Sequence, residues 1–171
     1  MSDLSLAEAT AADLPAVAAL MNAAYRGGTP GWHTESGLLG GQRTDPVTLA
    51  ADRAAGTRLL VWRQADGIAA SVQLQPGADG RCYLGGLTIA PDRQGAGLGN
   101  ALLHAAEAWA QREGATLVEM TVIAQRAELI AWYERRGYAP TGETRPFPYG
   151  DERFGRPLRD DLHFVVLAKR L

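Results

Sequence analysis

In "TIAPDRQGAGLGNALLHAAEAWAQR", residues 88–112, three glycines alternate at Gly95, Gly97 and Gly99 between a β-branched run and an amphipathic one. After them, Leu98, Leu102, Ala105 and Trp109 fall at helical spacing. A strand that passes through bare glycine into a helix confines the chain to an α/β arrangement. Glycine costs backbone entropy at a helix entry, so something should compensate: a ligand, or else only the needs of a glycine-rich tight turn. A helix N-terminus offers unpaired amides and the positive end of the helix dipole. A phosphate-bearing ligand satisfies both without a metal.

The segments around this loop extend the pattern. Residues 4–10 alternate weakly and read as a first strand. A helix follows, capped by Thr10 or Asp13, with Pro15 early and an apolar face of Leu14, Val17, Leu20, Met21, Ala24 and Tyr25 that ends at Gly27 and Gly28. Residues 28–44 form a long glycine-rich loop without a period, the composition of a functional lid. Asp45 caps a short helix over 46–55. "TRLLVWRQ" turns at Asp66-Gly67 into "IAASVQLQ", and "RCYLGGLTIA" completes a three-stranded antiparallel meander. Gly85 and Gly86 inside the third strand predict a β-bulge or a close approach. A strand over 115–123, a helix over 126–138 ending at Gly137, a strand over 138–145, a second long loop and a last strand over 162–171 finish the chain. The order β-α-α-β-β-β-α-β-α-β-β predicts an α/β fold, one domain over residues 1–171. A mixed sheet flanked by helices is expected, with a parallel pair between Cys82 and Ile123.

Composition narrows the function. The 171 residues are 46% hydrophobic and 21% charged, ordinary for one soluble domain. A net charge of -2 gives no footprint for nucleic acid. Cys82 is alone, and His33, His104 and His163 are far apart, so neither a disulfide nor a metal is expected. Residues 1–20 carry Asp3, Glu8 and Asp13 without a basic start, so they do not read as a signal peptide. No run of about 18 apolar residues predicts a membrane span. The expected location is cytoplasmic.

Three phosphate motifs compete for the loop. A Walker A loop requires a Lys that is missing here. A dinucleotide fingerprint is broken by Asn100 and follows a meander instead of an early strand, although Glu119 lies about twenty residues on. Q/R-x-x-G-x-G/A fits Gln94-x-x-Gly97-x-Gly99 in full. This segment resembles the acyl-CoA-binding motif of the GNAT superfamily of N-acetyltransferases. "AWYERRGYAPTG" is similar to that family's A-x-Y-E-x-x-G-F segment, and the element order resembles the family over nearly the whole chain.

The resemblance implies a GNAT-like acyl-CoA N-acyltransferase fold with splayed central strands. It implies acetyl-CoA as co-substrate, no metal, and acetyl transfer to a primary amine by direct attack in a ternary complex. The main chain of Gln94, Gly95, Ala96, Gly97, Leu98 and Gly99 would hold the pyrophosphate. The pantetheine arm would lie along Leu87, Thr88 and Ile89, with Gly85 and Gly86 at the bulge. Where the family often carries Asn, about seven residues before the tyrosine, Arg126 stands here, and the adjacent Gln125 is the candidate amide contact to the arm. Arg93, Arg135 and Arg136 are either phosphate partners or solvated surface arginines.

Tyr133 matches the family's tyrosine and is the candidate acid for the departing thiolate, since a phenol near pKa ~10 stays protonated at neutral pH. Its other reading is core packing beside Leu129 and Ile130. Glu119 is the only carboxylate in the two central strands and thus the candidate base; its other readings are a solvated or ion-paired side chain. No base is needed if water deprotonates the acceptor. Cys82 has no His near it in sequence, so an acyl-cysteine intermediate is not expected.

By family analogy the two long loops flank the acceptor. Trp32, His33 and Glu35 are the substrate-binding candidates, with Arg43 nearby and Phe147, Tyr149, Asp151, Glu152 and Phe154 from the second loop. Aromatics with acids suit a cationic amine, and aromatics with Arg43 or Arg153 suit a carboxylate. The acceptor is a small-molecule or peptide amine, and an exposed edge on the last strands would offer a surface for a homodimer. The rival from another class is a non-catalytic sensor that binds acyl-CoA.

Overall fold

A computed structural model describes residues 4–27, 35 and 37–171. Its elements are β1 (Ala7–Glu8), α1 (Leu14–Arg26), β2 (Leu39–Gly40), α2 (Pro46–Ala54), β3 (Arg58–Gln64), β4 (Gly67–Pro76), β5 (Arg81–Ile89), α3 (Leu98–Arg112), β6 (Leu117–Ile123), α4 (Ala127–Glu134), β7 (Ala139–Pro146), β8 (Arg156–Pro157) and β9 (His163–Arg170). The alternation of β3 shows how the sheet divides the core. Leu59 and Val61 pack with Leu14, Val17, Met21 and Leu49, whereas Leu60 packs with Val72, Leu102, Leu103 and Ala106. Helices α1 and α2 therefore cover one face of the sheet, and α3 and α4 cover the other.

Seven strands run in the order β1-β3-β4-β5-β6-β9-β7. Only β5 and β6 are parallel; every other neighbouring pair is antiparallel. This is the mixed α/β architecture expected from the element order. Asp45 caps α2 as anticipated, its carboxylate accepting from the Thr48 amide at 2.7 Å. The first strand is shorter than its alternation suggested. Asp13 Oδ2 accepts both the Thr10 amide, at 2.6 Å, and the Thr10 hydroxyl, at 3.0 Å, which turns the chain out of the sheet before α1.

The two long loops are less independent than they read in the sequence. Leu39 and Gly40 pair antiparallel with Pro157 and Arg156, so β2 and β8 form a short ladder that straps the loops together. Beneath it, Leu39, Ile123, Phe147 and Leu162 make a third apolar cluster.

The expected bulge falls in β5, where Gly86 and Leu87 stand opposite Val72 alone in the β4 register. Gly86 has φ +58°, and a Cβ there would lie 2.7 Å from Gln73 Oε1 and 3.1 Å from Met21 Cε. Gly86→Ala is expected to lower unfolding stability by about 1–2 kcal/mol, the cost of holding an L-residue in the left-handed region. Urea denaturation measures it.

Candidate active site

Parallel pairing of β5 and β6 covers only Arg81–Tyr83 against Leu117–Glu119. Beyond it the strands part, while β4 and β9 hold their outer edges. The hydroxyls of Tyr83 and Thr121 bridge the opening at 2.6 Å. The resulting cleft, about 160 Å³, has Leu84–Leu87 on one wall and Met120–Ile123 on the other, with Tyr25, Leu129 and Tyr133 closing it from the helices.

Of the β5 residues assigned to the pantetheine arm, Leu87 faces this cleft. Its carbonyl accepts the Tyr25 hydroxyl at 2.9 Å. Burial raises the Tyr25 pKa, so that hydroxyl stays a donor. Thr88 and Ile89 are buried and committed elsewhere. The Thr88 hydroxyl donates to the Gly86 carbonyl at 2.8 Å, and the Ile89 carbonyl accepts Gln94 Nε2 at 3.1 Å. The Gln94 side chain thus ties the loop to the strand end.

The glycine loop enters α3 with φ +90° at Gly95 and +76° at Gly97. A Cβ at either would meet no atom within 4 Å, so packing does not demand glycine there. Among the described residues no side chain caps α3. Ala96, Gly97 and Leu98 instead border an open depression of about 730 Å³ whose far side is Arg135 and Arg136. The Arg136 guanidinium lies 3.6 Å over the Trp132 ring, with Nε donating to Asn100 Oδ1 at 3.0 Å. Arg93 is turned away into an ion pair with Asp66. The N-terminal amides and dipole of α3 face this depression and two arginines line it, although Arg136 also donates through Nη1 to the Trp132 carbonyl at 2.8 Å; such a setting suits a phosphate group.

Tyr133 lines the cleft with its ring packed edge-on against Trp132, at 5.0 Å, and Tyr138, at 5.6 Å. Burial, reinforced by neighbouring phenols, drives its pKa far above the usual tyrosine value. Glu119 is placed differently from a base in the cleft. It sits on the paired part of β6 and accepts from Arg81 Nη1 at 3.2 Å, outside the lining. Gln125 is likewise outside it, donating through Nε2 to the Asp161 carbonyl at 2.7 Å. Trp32 and His33 lie outside the described residues.

Glu35 is the carboxylate that does line the cleft. It accepts from Arg26 Nη1 at 2.7 Å and from Arg126 Nη1 at 3.3 Å, and the three side chains are only 10%, 8% and 7% exposed. Arg126, standing at the family's Asn position, is therefore one arm of a buried ionic triad. Asn22 of α1 sets the neighbouring loop: its Oδ1 accepts the Arg43 amide at 2.6 Å, and its Nδ2 donates to the Thr44 carbonyl at 2.9 Å. Tyr25, Arg26, Tyr83 and Thr121 were not read as site residues from the sequence. The only signal was Tyr25-Arg26 ending a helix directly before the long loop. Among the described residues, no three His, Cys, Asp or Glu side chains group as a metal site, and no helix is long and apolar enough to cross a membrane.

Comparison with known proteins agrees with this fold. The sequence profile of the acetyltransferase (GNAT) family matches residues 17–138. No curated protein sequence matches. Among solved structures, the ribosomal-protein-alanine N-acetyltransferase of Brucella melitensis is 21% identical, with 98% of this chain and 100% of that one covered at a TM-score of 0.68. The ribosomal-protein-S18-alanine N-acetyltransferase of Escherichia coli is 22% identical over 97% and 92% of the two chains, at 0.69. A GNAT family acetyltransferase of Elizabethkingia anophelis with acetyl-CoA bound is 16% identical over 100% of both, at 0.63.

Glu35→Ala would leave two buried guanidinium groups without their shared carboxylate. The expected loss is about 3–5 kcal/mol of unfolding stability, read by chemical denaturation.

Proposed function

Since the chain belongs to the acetyltransferase (GNAT) family, we propose that it moves the acetyl group of acetyl-CoA to a primary amine by direct attack within a ternary complex. The observation that carries this reading is that one short segment serves both sites: Tyr133 lines the cleft between the parted strands, and Arg135 and Arg136 directly after it line the depression at the α3 N-terminus. In open α/β sheets a ligand lies in the crevice at the carboxyl ends of parallel strands. Gln94 to Gly99 hold the pyrophosphate through main-chain N–H, and Leu87 borders the pantetheine arm.

The neutral amine attacks the thioester carbonyl carbon, a C–N bond forms, and the oxyanion is held by main-chain N–H of the bulged segment. The C–S bond then breaks, the thiolate takes a proton from Tyr133, and the phenolate regains one from water. The cation formed on the amine loses its proton to water. Glu119 is held by Arg81 away from the gap, and Glu35 is held by two arginines. Water therefore suits the base role better than either carboxylate.

Calorimetry with acetyl-CoA, CoA and NADH tests the ligand; heat from the first two and none from NADH is expected. Tyr133→Phe should lower turnover by about 100-fold or more and leave the acetyl-CoA Kd within about twofold, measured by thiol release and calorimetry. If no amine ever accelerates thiol release, the protein is a sensor. The pH profile follows from the charge states. Activity should rise with pH as the acceptor amine loses its proton. It should show no descending limb from Tyr133 below about pH 10, because burial keeps that phenol protonated past its free value.

A further inference from the structure

The acceptor end of the cleft carries three guanidinium groups around one carboxylate. Glu35 is already engaged by Arg26 and Arg126. Arg43 adds its charge from above the Tyr25 ring, 5.1 Å from the centroid. Its guanidinium has no hydrogen bond or ion pair to a described residue. Arg26 is buried, and its Nε is sealed from solvent with no hydrogen-bond partner among the described residues. An unmet donor on a buried cation is costly.

Both arginines line a side cavity of about 60 Å³, walled by Phe147, Phe154 and Phe164, which shares Glu35, Arg43 and Phe154 with the main cleft. The cavity is held in place. Arg26 Nη2 donates to the Phe154 carbonyl at 3.4 Å. At Gly155, with φ +90°, a Cβ would sit 2.7 Å from that Nη2 and 3.0 Å from the Gly40 carbonyl. The β2–β8 strap is thus laid directly on the guanidinium.

We propose that the acceptor is a small primary amine carrying a compact oxyanion, an α-carboxylate in the simplest case, and an apolar side chain. The oxyanion docks on the Arg43 guanidinium, with the buried Arg26 adding positive charge behind it, the apolar group lies against Phe154 and Phe164, and the amine faces the thioester. This rests on the acetyltransferase reading above. A cationic amine without an anion meets uncompensated positive charge here. A peptide N-terminus presents a neutral amide and leaves the Arg43 charge unanswered. Transfer forms the amide N–C bond and leaves the carboxylate intact.

The test compares L-leucine, L-methionine and L-phenylalanine with their amides by acetyl-CoA-dependent thiol release, with rates corrected for the fraction of neutral amine. For at least one pair, kcat/KM should favour the carboxylate by about tenfold or more. Arg43→Gln should raise KM for that carboxylate by about tenfold and erase the preference with little change in kcat. Arg43→Lys should keep part of it. Neither variant should shift the acetyl-CoA Kd, and melting curves check that both remain folded. Equal or faster acetylation of the amides overturns the proposal, as does acetylation of none of the three carboxylates by protein that binds acetyl-CoA. Protein that does not bind acetyl-CoA fails at the earlier step and takes both readings with it.

Discussion

The arrangement depends on a pairing that stops. β5 and β6 share backbone hydrogen bonds through Tyr83 and Glu119 and then separate. An unpaired pair of buried strand edges would be untenable in most sheets. Here β4 and β9 satisfy the outer edges, the bulge at Gly86 bends β5 away, and Tyr25 caps the Leu87 carbonyl. What remains is a slot with main-chain polar groups on its walls, ready for a ligand that pairs as a strand would. The glycine loop lies at the carboxyl end of β5, so the proposed phosphate-binding and strand-pairing parts of the site share one origin.

Charge organises the other end. Taking Arg26, Arg126 and Glu35 out of water costs several kcal/mol per ion, and mutual attraction returns this only with good geometry. The triad therefore makes poor sense as a stability device alone, since apolar residues would fill the space at lower cost. What its geometry does is tie the end of α1, Glu35 and the residue before α4 into one frame.

Much of this was legible in the sequence because it is written in local periods. The α3 stripe, the hairpin turn at Asp66-Gly67, the Asp45 cap and the glycine alternation each report on a neighbour a few residues away. Tyr133 was legible through its Tyr-Glu segment. Glu119 shows where this kind of reading ends. Its partner Arg81 lies 38 positions away, and only the parallel register brings them together. Gln125 is spent on Asp161, 36 positions distant, where the antiparallel β6–β9 pair ends. Tyr25 fitted the apolar stripe of α1, and nothing local tells a packing tyrosine from one whose hydroxyl caps a strand carbonyl. The two-residue β2 and β8 are too short to show any alternation.

That short ladder limits how the acceptor wall can be rebuilt. Arg43 comes from the loop after β2 and Phe154 from the segment before β8, and Leu39↔Pro157 and Gly40↔Arg156 hold them in one frame. A graft that swaps one loop from a relative would present its new side chains against a partner cut for the old one, with Gly155 and Arg26 no longer nested. The two loops form a single exchangeable cassette, to be transplanted or diversified together.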